Sequence, residues 1–400
     1  MSAADDGRRG VLMDWHAGDT FGWGLLGLNL LLQWAHDPQV RPLMGHPITR
    51  AALGPCDPLR LRHAYDAIER SNRFVAGLAA QAPTADGRRA VDAVVVDALG
   101  NDFAPSSYSG SLDIGRCIFE DTRLVGARDA LAKYDALLVA SRWNAELLEA
   151  ATGRAATVIH EGVDPSLFCP GPPSGLLNPD RFHVFSGGKV EFRKGQDLTL
   201  LAFRAFARHR PDCVLVTAWQ SIWPQRSVGF RGRLAAPVEA DPHGMLHIGQ
   251  WAYRNGIDPR KVVDLGLVPN ALMPSVLREM HVALQPSRAE ACTSLPVKEA
   301  MACGVPVIAA ANTGMLDLLD PSRAIVLERQ RPVDGVDADA TDGWGESDVD
   351  EIVAALEFAY DHRDEARLRG LRAREWLVAE GRTWQAHAHA LKTWILGLSR

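Results

Sequence analysis

The sequence predicts an α/β protein built from two doubly wound parallel sheets, each in a domain of its own. Short apolar runs of strand length alternate with amphipathic helical runs through most of the 400 residues, as in parallel strands joined by crossover helices. Near the middle, residues 169–180 (CPGPPSGLLNPD) are rich in Pro and Gly and have no periodicity, which is typical of a linker. We therefore predict a first domain over residues 1–170, a linker over 171–180, a second domain over 181–382 and a last helix over 383–400.

The first domain begins with a strand over residues 11–15, followed by a glycine-rich turn at 18–24 and a helix over 25–34. Ser141 is a good N-cap, so a helix should begin there and continue to about residue 151. Apolar runs predict the other strands of this domain, at residues 91–99, 116–119, 135–140 and 157–160.

The second domain repeats the alternation. Its predicted strands cover residues 182–186, 213–218, 245–248, 262–267, 282–285, 305–309 and 324–327. Its clearest predicted helices cover residues 196–208, 271–280 and 295–303, and three further helical segments close the chain.

Composition excludes several classes of protein. A net charge of -6 and a pI near 6.1 give no reason to expect nucleic-acid binding. Six scattered cysteines without a Cys-x-x-Cys pair argue against zinc and indicate reduced thiols. The N-terminus lacks the apolar region of a signal peptide, and the longest apolar segment, residues 25–34, is too short to span a bilayer. We expect a cytoplasmic protein, and the sequence does not exclude peripheral contact with a membrane surface.

An acidic, glycine-bearing segment covers residues 334–350 and includes Asp337 and Asp339 in an Asp-x-Asp spacing. Such a pair can bind a metal ion, but it also suits an exposed flexible loop. The segment lies away from the predicted strand ends, so we favour the loop and predict no metal site.

The turn after the first strand of the second domain has three cations within six positions, Lys189, Arg193 and Lys194. Gly188 lets the backbone turn, and a helix begins just afterwards. At the carboxyl end of a strand and beside a helix start, these cations suit a diphosphate and would neutralise charge on a leaving group. The alternative is a solvated basic loop; the position at the domain's first strand favours binding.

Residues 286–308 predict a strand end, a polar loop, a helix start and a buried strand. This order places Glu290, the amides of the loop, the helix N-terminus and Glu299 around one pocket. A helix N-terminus attracts anions, and carboxylates accept hydrogen bonds from sugar or ribose hydroxyls. Either glutamate could instead be a helix-start carboxylate that the helix dipole stabilises.

Three motifs in this order resemble those of family 4 glycosyltransferases with the GT-B fold: residues 161–170 (EGVDPSLFCP), 187–195 (GGKVEFRKG) and 287–308 (SRAEACTSLPVKEAMACGVPVI). The resemblance covers nearly the whole chain. It implies two Rossmann-like domains that face a cleft, the first on the acceptor side, and a C-terminal helix that packs back toward the first domain. It also implies a nucleotide-diphosphate sugar as the donor.

The resemblance also implies roles for the residues that match. Lys194 matches the diphosphate-binding lysine, and Lys189 stands where an arginine is more usual, so Arg193 is expected to restore the lost phosphate geometry. Glu299 matches the glutamate that clamps the ribose, and Glu290 matches the one near the donor sugar, with one residue more than usual between them. The predicted catalytic set is therefore Lys194, Lys189, Arg193 and Glu290.

Other donor contacts are expected from backbone groups. Leu267 and Val268 match the element that contacts the nucleotide base, and the glycines of both turns should approach the phosphates. The predicted donor-binding residues, besides Glu299, are Gly22, Gly24, Gly188, Leu267, Val268, Cys292, Thr293, Ser294 and Leu295.

On the acceptor side, the resemblance favours Glu120, with His16 as the best histidine candidate and Trp23 as a stacking platform. Each of the last two could equally be structural, because lone histidines and tryptophans more often pack than bind.

The family resemblance implies a retaining glycosyltransferase of hexosyltransferase type. Because cationic side chains can do the work of a metal ion, we expect no metal and no cofactor beyond the nucleotide-sugar donor. A departing phosphate oxygen can take the acceptor proton, so no dedicated base is required. The acceptor is expected to be a glycan, a lipid-linked glycan or a small molecule, as in polysaccharide biosynthesis. A sugar-nucleotide epimerase and a catalytically silent nucleotide-sugar-binding protein remain as alternatives. The first would need extra carboxylates or histidines, and the second would show no donor turnover.

Overall fold

The computed structural model describes residues 7–85, 87–104, 106–334 and 340–398. The chain separates into two compact units. The first runs to Asp164 and includes Pro269–Ala271 and the segment that begins at Gly381; the second contains Pro165–Val268 and Leu272–Glu380. The change of unit after Asp164 lies before the predicted boundary at residue 170, and the predicted linker belongs to the second unit.

The first unit is an α/β layer structure around one parallel sheet. The strands of this unit are β1 (Arg9–Asp14), β2 (Val40–Met44), β3 (Arg89–Ala90), β4 (Val94–Leu99), β5 (Tyr108–Ser109), β6 (Leu112–Cys117), β7 (Ala136–Val139) and β8 (Thr157–Val158). Its helices before the change of unit are α1 (Gly22–Trp34), α2 (Pro58–Ala79), α3 (Ala127–Leu131) and α4 (Arg142–Thr152). The main sheet has the order β2-β1-β4-β6-β7-β8, and all its pairs are parallel.

Two longer elements of this unit, β2 and α2, were not predicted from the sequence, nor were the short elements β3, β5 and α3. The edge strand β2 contains Pro42, which argues against a strand unless one side needs no partner, and β2 pairs only with β1. Helix α2 buries mostly small side chains, so its apolar pattern is weak. Its start has a clear signal in hindsight, because Asp57 accepts a hydrogen bond from the Leu59 amide and Pro58 occupies the first turn.

The second unit contains the other large sheet. The strands of this unit are β9 (Phe182–Gly187), β10 (Cys213–Ala218), β11 (Val262–Asp264), β12 (Val282–Gln285), β13 (Val307–Ala310), β14 (Ile325–Leu327), β15 (Gln330–Arg331) and β16 (Glu346–Ser347). Its helices are α5 (Gln196–His209), α6 (Ile248–Arg254), α7 (Met273–Leu277), α8 (Leu295–Ala302), α9 (Val349–Asp361) and α10 (Arg363–Ala379).

The strand order of this sheet locates a binding edge. The order is β11-β10-β9-β12-β13-β14, so the chain turns to opposite sides of β9 when it forms β10 and β12. All these pairs are parallel, and ligands of such sheets bind at the carboxyl ends of the strands where the order reverses. The turn after β9 and the loop after β12 are therefore neighbours at this edge.

One predicted strand of the second unit is wrong. Residues 245–248 do not form a sheet strand: Gly244 has a φ of 87°, Met245 is 48% exposed and α6 begins at Ile248. Only a single bridge, between Ala240 and Leu246, remains there.

The last helix, α11 (Trp384–Gly397), belongs to the first unit. The Trp384 amide donates to the Val163 carbonyl at 3.1 Å, and the Trp34 indole donates to the Ala388 carbonyl at 3.2 Å. Buried Leu391 and Ile395 add apolar contacts. Within the described residues, no helix has both the length and the apolar character that a membrane crossing requires.

Candidate diphosphate-binding site

The turn after β9 is built on two glycines with positive φ. Gly188 has a φ of 98° and Gly195 has a φ of 70°, conformations that favour glycine. Between them, residues Phe192–Lys194 form a short 3-10 turn that leads into α5. The Gln196 side chain donates to the carbonyls of Gly188 and Lys189 at 3.2 and 2.9 Å, which fixes the turn.

The three predicted cations of this turn are paired with two carboxylates. Lys194 Nζ lies 2.9 and 2.6 Å from the two oxygens of Glu290. Arg193 contacts Glu290 at 3.3 Å and Glu191 at 2.8 Å, and Lys189 contacts Glu191 at 2.7 Å. The cluster thus keeps one more cation than carboxylate, a weaker positive charge than the sequence alone suggested.

Lys194 and Lys189 differ in their surroundings. The side chain of Lys194 is 11% exposed and that of Lys189 is 32% exposed. Lys189 Nζ also lies 5.3 Å from the centre of the Trp223 ring, within reach of a cation–π interaction. Neither lysine is turned into bulk solvent, as a solvated basic loop would require.

Glu290 is buried and stays ionised because cations surround it. Burial opposes its ionisation, but the charges of Lys194 and Arg193 outweigh burial and hold the pKa of Glu290 below its ordinary value. Burial lowers the pKa of Lys194, and the charge of Glu290 counteracts this effect. The carboxylate therefore helps to keep the buried ammonium protonated.

The loop after β12 leads into the N-terminus of α8. The hydroxyl oxygens of Thr293 and Ser294 are buried, and neither has a hydrogen-bond partner among the described residues. Ser294 is the N-cap residue of α8, yet its side chain caps no amide. Free hydroxyls and first-turn amides at a helix N-terminus form an anion-binding site.

The glycine turn packs directly against this helix start. A Cβ placed on Gly187 would lie 3.4 Å from the Pro296 Cβ, in the first turn of α8. The Lys194 stem passes under Gly188, about 4.0 Å from a Cβ placed there. The cations, the glycines and the α8 N-terminus thus line one edge of the second unit, as predicted from their order.

Sequence reasoning missed the residue that joins these loops, Arg288. Its guanidinium is fully buried and binds both oxygens of Asp197 at 2.9 and 2.8 Å and Glu346 at 2.7 Å. It also donates to the Phe192 carbonyl at 2.7 Å, while the Arg288 amide donates to the Arg193 carbonyl at 2.6 Å. Residues so far apart in the chain give no local spacing signal.

Five further donor-side candidates lie in the second unit. Glu299 is a buried residue of α8, 7% exposed, one turn after the helix start. Leu295 is the first residue of that helix, and Cys292 lies in the loop before it. Leu267 and Val268 follow the edge strand β11, where Leu267 is 44% exposed.

The first unit contains the other candidates. Gly22 and Gly24 lie in the first turn of α1, and a Cβ on Gly24 would meet the Phe21 ring at 3.0 Å. Trp23 contacts the Trp15 ring with 5.4 Å between centroids and lies 5.9 Å from buried Arg116. A packed tryptophan is thus observed, so its stacking role stays a prediction.

His16 and Glu120 lie at strand ends of the same unit. The His16 ring stacks on the His46 ring at 3.9 Å, and burial and the neighbouring histidine lower the pKa of His16. The Glu120 amide donates to Asn101 at 2.8 Å. These contacts leave both acceptor-side roles as predictions.

Within the described residues, no cluster of three or more His, Cys, Asp or Glu side chains could hold a metal ion. Asp337 and Asp339 lie outside the described residues.

Two parallel-sheet α/β units are the architecture of the GT-B fold, and comparison with solved structures agrees. Sucrose-phosphate synthase from Thermosynechococcus elongatus has a TM-score of 0.65 and 15% identity, over 98% of this chain and 99% of that one. Anabaena HepE in complex with UDP-glucose has a TM-score of 0.60 and 15% identity, over 97% and 100% of the two chains. The predicted fold class is confirmed.

Residues 141–391, more than half of the chain, match the model of family 4 glycosyltransferases in conflict systems. The chain belongs to this family, which confirms the resemblance inferred from the three motifs. D-inositol 3-phosphate glycosyltransferase 1 of Catenulispora acidiphila is 28% identical over 270 residues. That match spans 66% of this chain but only 57% of the relative's length.

Proposed function

We propose that this glycosyltransferase moves a hexose from a nucleotide-diphosphate donor to a hydroxyl acceptor with retention of anomeric configuration. One observation carries the proposal: Lys194 and Arg193 lie at the same sheet edge as the buried hydroxyls of Thr293 and Ser294, which have no hydrogen-bond partner among the residues that the structure describes. Cations, free hydroxyls and a helix N-terminus are together the groups that bind a diphosphate.

In this proposal the second unit binds the donor. Lys194, Arg193 and Lys189 stabilise the charge that develops on the leaving diphosphate, and the α8 N-terminus contributes its amides. Glu299 accepts hydrogen bonds from the ribose hydroxyls, and Leu267 and Val268 contact the base.

The acceptor is assigned to the first unit, where Glu120, His16 and Trp23 are the candidate contacts. Its chemical class is a glycan, a glycolipid or a small molecule with a free hydroxyl. The name of the Catenulispora relative says that it acts on an inositol phosphate, which supports testing phosphorylated small molecules among the acceptors.

The chemistry needs few protein groups. The acceptor hydroxyl attacks the face from which the diphosphate departs, and a departing phosphate oxygen takes the proton. Fixed cations stabilise the leaving group, so we propose a reaction that proceeds without a metal ion. Anabaena HepE has been crystallised with UDP-glucose and with UDP, which supports a diphosphate donor for a protein of this fold.

Thermal shift with UDP, GDP and ADP tests donor binding. A ligand at 100 times its Kd adds about 2.7 kcal/mol of stability, a shift of a few degrees. The matching sugar nucleotide is then offered with candidate acceptors, and NMR reads the anomeric configuration of the product. Retained configuration supports the proposal; inversion, or no stabilisation by any diphosphate, contradicts it.

A further inference from the structure

The carboxylate of Glu290 has no free acceptor position. Its Oε1 accepts from Lys194 at 2.9 Å and from the Ser287 hydroxyl at 2.7 Å. Its Oε2 accepts from Lys194 at 2.6 Å and from Arg193 at 3.3 Å. A carboxylate offers about four acceptor positions in all. A sugar hydroxyl could therefore bind Glu290 only after one of these donors leaves.

The backbone of Glu290 is held as firmly as its side chain. Its amide donates to the Thr313 hydroxyl at 2.9 Å, and its carbonyl accepts from the Gly314 amide at 3.0 Å. Thr313 has a φ of 45°, a conformation that costs a β-branched residue free energy and persists only where the surroundings enforce it. A Cβ on Gly314 would lie 2.6 Å from the Glu290 carbonyl oxygen, so the two segments are in tight contact.

Lys194 has the complementary arrangement. An ammonium has three donors, and two of the Lys194 contacts go to the two oxygens of Glu290. The third donor has no partner within the described part of the chain, which leaves it for a phosphate oxygen. A flexible lysine side chain loses rotamer freedom when it is held in this way before the ligand arrives, which favours binding of the ligand.

We propose that Glu290 is a positioning residue that holds the Lys194 ammonium for the donor diphosphate, and that it does not bind the hydroxyls of the donor sugar. This inference rests on the proposed function. It assigns Glu290 a role different from the one that the family resemblance implies. It also means that the identity of the donor sugar is set by groups other than this carboxylate.

The two roles differ in what they do to a ligand without a sugar. If Glu290 positions Lys194, Glu290→Gln weakens binding of free UDP and of UDP-glucose by the same factor, about tenfold, as expected for one lost charged contact. If the thermal-shift panel selects guanine or adenine as the base, the probes become GDP and its sugar nucleotide, or ADP and its sugar nucleotide. Calorimetry gives the affinity and the stoichiometry separately, so a misfolded fraction lowers the stoichiometry and leaves the Kd unchanged.

A double-mutant cycle isolates the pair. In a Lys194→Met background, Glu290→Gln should weaken UDP binding no further, because the group that it positions is gone. Glu365→Gln is the matched control: it removes a carboxylate from an exposed pair with Arg369 and should leave UDP affinity unchanged. Glu290→Asp keeps the charge but shortens the reach, so it should weaken the binding of UDP and of UDP-glucose by one equal factor, smaller than that of Glu290→Gln. This variant also provides the test if Glu290→Gln does not fold.

Three results would overturn the inference. Unchanged UDP affinity with a loss confined to UDP-glucose would make Glu290 a sugar contact. Tighter UDP binding in Glu290→Gln would show that the carboxylate competes with the diphosphate. Equal effects of Glu290→Gln with and without Lys194 would show that the two residues act independently. A wild-type protein that binds none of the diphosphates would instead refute the proposed function itself.

Discussion

Lys189 and Lys194 follow the same strand, but their ammonium groups have different surroundings. Lys194 is almost enclosed and shares Glu290 with Arg193, whereas Lys189 lies between Glu191 and the Trp223 ring. Charges in a dry environment interact more strongly than charges in contact with water. The structure therefore favours Lys194 as the stronger contact to a leaving group.

Replacement of Lys194 by alanine should lower sugar transfer by about 10²–10³-fold, comparable with the loss of one charged transition-state contact worth about 3–4 kcal/mol. Lys189→Ala should have a smaller effect, about tenfold, because its ammonium is more exposed to water. Initial rates with a saturating acceptor measure both. Equal losses in the two variants would contradict the ranking.

Asp97, in the first unit, is a further residue whose pKa is shifted. Asp97 is buried at the carboxyl half of β4, and burial raises its pKa to about 6 even though the Tyr134 hydroxyl donates to it. Because the folded pKa lies above the unfolded value, its ionisation costs stability as the pH rises from about 4 through about 6.

Asp97→Asn should therefore stabilise the protein at pH 8 by about 2–3 kcal/mol and give little gain at pH 4. Urea unfolding at both pH values, followed by a probe in the first unit, measures the difference. A variant with the same stability change at both pH values would show that Asp97 has an ordinary pKa.

Among the elements, the turn between β9 and α5 has the strictest geometry. Gly195 combines positive φ with a very close neighbour: a Cβ there would lie 2.1 Å from the Pro286 carbonyl oxygen. Pro286 begins the loop after β12, so this glycine lets the two loops of the site meet. Gly175 has a similar φ of 77°, but nothing lies within 4 Å of a Cβ placed on it.

Gly195→Ala should cost about 3 kcal/mol or more, since the backbone must move, while Gly175→Ala should cost about 1 kcal/mol for backbone strain alone. Chemical denaturation of the two variants provides the comparison. If Gly195→Ala were no worse than its control, the close contact between the two loops would be absent in solution.

Arg288 shows how a buried charge organises the same element. It ties the 3-10 turn, the first turn of α5 and β16 together through Phe192, Asp197 and Glu346. Removal of one partner from such a network leaves a buried charge without compensation. Through the carbonyls of Phe192 and Arg193, Arg288 holds the backbone of the turn that carries the cations of the candidate site.

At the scale of the whole molecule, the chain returns to the first unit at its end. Helix α11 buries Leu391 and Ile395 and shares hydrogen bonds with segments near Trp34 and Val163. The stability of the first unit should therefore depend on residues more than 200 positions from its main sheet.

Leu391→Ala should destabilise the first unit by about 2–5 kcal/mol, the usual cost of a buried leucine cavity. Hydrogen exchange of the amides in β1 and β4 should accelerate, whereas amides of β9 and β12 should keep their protection. Faster exchange confined to the second unit would contradict the assignment of α11.

The sequence was sufficient for the features that depend on local order. The cations of the β9 turn, the helix start at Leu295 and the last helix all lie where spacing predicted them. The glycine turn needed no long-range information, since a strand, two glycines and a helix already fix it. The alternation of strands and helices indicated two doubly wound sheets, and the family resemblance added the GT-B assignment.

What escaped prediction depends on side chains distant in sequence. Lys194 and Glu290 are 96 positions apart, and their pairing follows from the β9–β12 adjacency and from side-chain direction, neither of which leaves a local pattern. The same holds for Arg288 and Glu346, 58 positions apart. Strand β2 was missed because Pro42 is acceptable only at an edge, and edges are known only once the sheet order is known.

The central claim, that the turn after β9 binds a diphosphate, is tested most directly by calorimetry with a nucleoside and its diphosphate. Wild-type protein should bind the diphosphate at least 100-fold more tightly than the nucleoside, about 2.7 kcal/mol. Lys194→Met should lose most of that difference and keep its affinity for the nucleoside. An unchanged preference for the diphosphate in the Lys194→Met variant would contradict the account.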